Sequence, residues 1–132
     1  MSMEPSDLGG RRILIVEDEF LTAQQLENCI HDAGGEVVGP VASVDDALPI
    51  ARSEWIDAAL LDVNLRGRMV TPVAEELRAR GIPFVLVTAY GREALPQAVL
   101  REAPLVPKAN LAAGIRRVLT GVLAARPARD PH

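Results

Sequence analysis

Five short apolar runs, each followed by a stretch of helical character, narrow the folds open to this chain more than any other feature. The runs are 12-RILIVE-17, 36-EVVGPVA-42, 58-AALLD-62, 82-IPFVLVT-88 and 105-LVP-107. Each is apolar or β-branched and bounded by turn or helix-start residues, as buried strands are. Between them, apolar residues recur at helical spacing. In 19–33, Phe20, Ala23, Leu26, Cys29, Ile30 and Ala33 form an inward stripe, and Gly34 with Gly35 supplies a stop. Ser43 with Asp46 resembles a capping box at the head of a second helix, which carries Pro49. Thr71 and Pro72 read as the N-cap and first residue of a third helix, with Val73, Ala74 and Leu77 inward. A fourth helix within 91–102 is weakened by Pro96, whereas Leu111, Ile115, Val118, Leu119, Val122 and Leu123 make the clearest stripe for a fifth. Alternation of this kind implies an α/β fold of (βα)5 type. Its sheet is parallel, its crossovers right-handed, and helices cover both faces.

Composition agrees with that architecture. A chain of 132 residues can bury one hydrophobic core. Hydrophobic residues make up 48% and aromatics 3%, so the core must be aliphatic, which suits parallel strands between helices. The net charge of −4, with no dense Lys/Arg run, argues against a nucleic-acid partner. A single cysteine, Cys29, leaves no internal disulfide and no multi-cysteine metal site; His31 and His132 read as surface residues. Apolar runs such as 82-IPFVLV-87 are too short to span a bilayer, and 1-MSMEPSDLGG-10 lacks a signal-peptide core. The expectation is a cytoplasmic protein without membrane contact. It comprises an N-terminal tail over 1–10, a domain over 11–124 and a C-terminal tail over 125–132.

Ligands of open parallel sheets bind at the carboxyl ends of the strands, so what each strand ends on matters. The first ends on Glu17 and Asp18, the third on Asp62, the fourth on Thr88 and the fifth on Lys108. Like charges roughly 4 Å apart at an effective dielectric near 20 repel by about 4 kcal/mol. A hard divalent cation offsets that repulsion, and Mg²⁺ takes oxygen ligands and completes its shell with water or a phosphate oxygen. An aspartate beside it can act as a nucleophile towards phosphorus, and a lysine and a hydroxyl can hold phosphoryl oxygens. Glu19, by contrast, reads as a first-turn carboxylate complementing the positive end of the first helix.

The stretches 16-VEDE-19, 60-LLDVNLRG-67, 86-LVTAY-90 and 106-VPKAN-110 stand in this order on a (βα)5 pattern. Together they resemble the receiver domain of two-component response regulators over residues 11–124. The resemblance implies a flavodoxin/CheY-like fold with strand order 2-1-3-4-5. It implies a phosphoacceptor rather than a turnover enzyme, phosphorylated on Asp62 in a Mg²⁺-dependent reaction. Asp18 and Asp62 would be metal ligands, Glu17 a ligand through water, and the Asn64 backbone carbonyl a further one. Thr88, Lys108 and the Ala89 backbone N–H would hold the phosphoryl oxygens. The implied partners are a sensor histidine kinase or histidine phosphotransfer protein, and a downstream protein read through the fourth helix, fifth strand and fifth helix.

Three departures from the family pattern stand out. Ala109 follows Lys108 where many receivers have proline. Leu105 occupies the position of an aromatic switch residue. The segment 83-PFVLVTAYG-91 partly matches stand-alone receivers with a Pro-Phe-x-Phe-x-Thr-Gly-Tyr-like motif, with Leu86 and Ala89 replacing Phe and Gly. In that subgroup HWE-type kinases are common partners, and Tyr90 can take over the switch role. The rival reading is a receiver-like binding scaffold that works without phosphorylation. A dehalogenase-like enzyme is disfavoured because 62-DVN-64 lacks a second acid, and no Gly-rich phosphate loop is present.

Overall fold

The structure, a computed structural model, describes residues 7–89 and 98–124. Its main sheet is built from β1 (Arg12–Val16), β2 (Glu36–Val41), β3 (Ala58–Asp62), β6 (Phe84–Thr88) and β7 (Leu105–Pro107). All pair in parallel, in the order β2-β1-β3-β6-β7. This is the expected 2-1-3-4-5 order, because β4 (Asn64–Leu65) and β5 (Arg68–Met69) form a separate two-residue antiparallel hairpin. That hairpin lies between β3 and the helix that starts at Thr71 and was not anticipated.

Alternation along the strands divides the core between two helical layers. Leu14, Val16, Ala59, Leu61 and Leu86 face α2 (Val44–Ser53), α3 (Thr71–Ala79) and α4 (Ala98–Arg101). Ile13, Ile15, Leu60, Val85 and Val87 face α1 (Phe20–Asp32) and α5 (Leu111–Ala124). The strands read as continuous apolar runs because both of their faces are buried.

Local signals behave largely as the residues dictate. Ser43 caps α2 by accepting from the Asp46 N–H at 3.1 Å. Pro72 sits in the first turn of α3, where its missing N–H costs nothing; the helix starts at Thr71, with Val70 as N-cap. Pro49 is tolerated inside α2. Of the anticipated fourth helix, Ala98–Arg101 is helical, while Pro96 lies outside the described residues.

Two expectations need correcting. Phe20 is 76% exposed rather than part of the inward stripe, and its neighbour Leu21 is 70% exposed. Phe20 opens α1 at the carboxyl edge of the sheet, beyond the surface against which Ala23, Leu26 and Ile30 pack. The folded unit also begins earlier than residue 11. Leu8 is fully buried among the α1/α5 core residues, its N–H donates to the Ala33 carbonyl at 2.8 Å, and Asp7 pairs with Arg116 at 3.0 Å. Gly35 makes room for this plug, since a Cβ there would lie 2.8 Å from Leu8 Cδ1.

Candidate functional site

The sheet order places the ends of β1, β3, β6 and β7 side by side, and the residues that follow or end these strands crowd one edge. One carboxylate oxygen from each of Glu17, Asp18 and Asp62 lies within 4.8 Å of the others. Into this cluster reaches Lys108, which opens a 3₁₀ turn (Lys108–Asn110) running into α5. Its Nζ lies 3.3 Å from Glu17 Oε2, 3.3 Å from Asp62 Oδ2 and 3.5 Å from Glu19 Oε1. Asn64, Thr88 and Ala89 line the same cleft, whose volume is about 540 Å³. Asp18, Asp62, Asn64, Thr88, Ala89 and Lys108 border one space, with Glu17 buried in the acidic cluster beside it, while Tyr90 lies outside the described residues. A second cleft of about 490 Å³ runs past Pro83, Phe84 and Pro104 at the opposite end of the sheet. It has no comparable group of acids among the described residues.

The Glu17 and Asp62 carboxylates are withdrawn from water, at 2% and 6% exposed, and so is the neutral Thr88 at 1%. Burial, reinforced by the neighbouring Asp62 charge, pushes the Glu17 carboxyl up to about 7, despite the Glu19 N–H and Lys108 acting the other way. Burial likewise raises Asp62, with Glu17, Lys108 and the Asn64 N–H opposing it. Lys108 loses from burial but is held above the ordinary lysine value by the Asp62 and Glu17 carboxylates. Glu19 differs: the Thr22 hydroxyl, donating at 2.6 Å, and then Lys108 lower it. Glu19 is the N-cap residue of α1, yet its side chain makes no cap hydrogen bond. It serves Lys108 and Thr22 rather than the helix terminus.

Backbone groups of the hairpin hold two of the site residues. The Arg66 N–H donates to Asp18 Oδ2 at 3.1 Å, and the Gly67 N–H donates to Asn64 Oδ1 at 2.9 Å. To reach Asp18, Arg66 adopts φ +52°, with Gly67 at +85°, the left-handed region that suits the glycine and strains the arginine. Sequence reading missed Arg66 and Thr22. The Arg66-Gly67 pair was the available turn signal.

The donor set fits a hard divalent cation. It is all oxygen, its charges repel, and Glu17 Oε1 is buried with no hydrogen-bond partner among the described residues. Mg²⁺ would be held by Glu17, Asp18 and Asp62.

SdrG from Sphingomonas melonis Fr1 superposes with a TM-score of 0.74 at 42% identity, covering 86% of this chain and 96% of that one. SdrG from Pseudomonas melonis Fr1 in its BeF3-activated conformation gives a TM-score of 0.71 at 42% identity, covering 85% and 95%. The transcriptional regulatory protein PdtaR of Mycobacterium tuberculosis is 31% identical over 86 residues, 64% of this chain. The present chain spans only 42% of PdtaR. Residues 13–103 match the response regulator receiver domain, and with that match the chain belongs to the response regulator receiver family.

Proposed function

We propose that this receiver accepts a phosphoryl group on Asp62 from a histidine phosphodonor protein, in a Mg²⁺-dependent reaction, and signals through protein contact or onward phosphotransfer. One observation carries the reading: Glu17, Asp18 and Asp62 gather within 4.8 Å, with the Lys108 ammonium 3.3 Å from Asp62. An Asp62 carboxylate oxygen attacks phosphorus as the bond to the donor imidazole nitrogen breaks. The electron pair returns to the imidazole, and an acyl phosphate remains. Lys108, the Thr88 hydroxyl and the Ala89 N–H hold the phosphoryl oxygens, while Asp18, Asp62, the Asn64 carbonyl and, through water, Glu17 hold the cation. Bound Mg²⁺ supplies charge neutralisation at the phosphoryl group. The exposed Phe20 and Leu21 beside the cleft favour a macromolecular donor, such as a sensor kinase of HWE type or a histidine phosphotransfer protein, because a docking helix would cover them. The BeF3-activated form of SdrG also supports the reading, being an activated state of a receiver 42% identical to this one. A cytoplasmic site of action belongs to the same proposal. Among the described residues no helix is long and apolar enough to cross a membrane.

The test is incubation with acetyl phosphate, with and without Mg²⁺, read by intact mass. The wild type should gain one acid-stable, base-labile phosphoryl group that EDTA prevents, and Asp62→Ala should gain none. A wild type that never gains it would favour the phosphorylation-independent scaffold.

A further inference from the structure

Lys108 sits where a cation must compete with it. Its ammonium is bound to Glu17 and Asp62 at 3.3 Å each, two of the three carboxylates grouped closely enough to hold a metal. Its third partner, Glu19 at 3.5 Å, is outside that group. Glu19 is itself fixed, since the buried Thr22 donates its hydroxyl to Glu19 Oε1 at 2.6 Å. Glu19 Oε1 is the same oxygen that faces the ammonium. A second positive charge arriving at Glu17 and Asp62 repels Lys108, and the anchored Glu19 is the partner it keeps.

We propose that Glu19, oriented by Thr22, is a positioning residue that receives Lys108 when a divalent cation loads the acidic cluster. It keeps the ammonium at the cleft rim, within reach of an incoming phosphoryl group. Without Glu19, the carboxylates paired with Lys108 among the described residues are the cation's own ligands, and it competes harder for them. The inference rests on the metal reading proposed above.

A double-mutant cycle on the full chain separates this role from plain long-range attraction. Mg²⁺ affinity is measured calorimetrically with MgCl₂, at constant ionic strength, for wild type, Glu19→Gln, Lys108→Met and the double variant. Glu19→Gln should weaken Mg²⁺ binding about two- to fivefold, the range of a half-exposed ion pair. In the Lys108→Met background the same change should have no effect. Thr22→Val should reproduce part of the loss, again only when Lys108 is present. An equal loss in both backgrounds, or none in the wild type, overturns the hand-over and leaves the metal site standing. No saturable Mg²⁺ binding by the wild type overturns both readings.

Discussion

Along β3, Ala58–Leu61 are 0% exposed among aliphatic side chains, whereas the next residue, Asp62, is 6% exposed among charges. The same strand thus carries two kinds of burial within one residue's step. The sheet body satisfies itself, since its backbone is paired and its side chains are matched by two helical layers. The edge does not. Glu17 and Asp62 are kept from water and share one ammonium, and a buried Glu17 oxygen has no partner among the described residues. Stability resides in the body, and the edge holds a tension that a cation or a phosphoryl group can relieve.

The widest contrast should come from two substitutions two residues apart. Leu60→Ala should cost about 2–5 kcal/mol in denaturant unfolding. Asp62→Asn should stabilise the metal-free protein by about 1 kcal/mol, because it thins the crowded charge and leaves Lys108 paired with Glu17 and Glu19. Equal losses at both positions would erase the distinction between body and edge. Leu8→Ala tests where the body ends. Losing a fully buried side chain should cost about 2 kcal/mol or more, whereas a tail residue would cost nothing measurable.

A finer signature is pH. Glu17 has an ordinary value of 4.5 and a folded value of about 7, so between those values the folded state binds the extra proton. The Glu17 contribution to metal-free stability, read as wild type against Glu17→Gln, should therefore be fully present below 4.5, fall as pH rises towards 7, and then level off. Thermal melts of both proteins in EDTA should show this slope in their difference. A contribution that rises over that interval would contradict the burial assigned to Glu17.

Much of this was legible because parallel strands buried on both faces betray themselves as apolar runs. Each candidate site residue also falls on the last residue of a run or just after it. Asp62, Thr88 and Lys108 needed only their strand ends to be placed. What stayed hidden depends on contacts across the fold. Leu8 is one leucine in a polar segment and shows no period. Phe20 fits the α1 stripe by spacing, but the sheet ends beneath it. Glu17 and Asp18, crowded at the end of the first strand, read as awaiting a divalent cation. That omits Lys108, 91 residues from Glu17, whose ammonium already offsets part of the repulsion. Nor could side-chain patterns reveal that Asp18 is held by the Arg66 backbone N–H.

The central claim is that, among the clustered acids, Asp62 is the nucleophile. Peptide-resolved mass spectrometry of the wild type after Mg²⁺ and acetyl phosphate tests it most directly. The account predicts the phosphoryl group on the peptide containing Asp62, and nowhere else; a phosphoryl group on Glu17, Asp18 or Glu19 would contradict it.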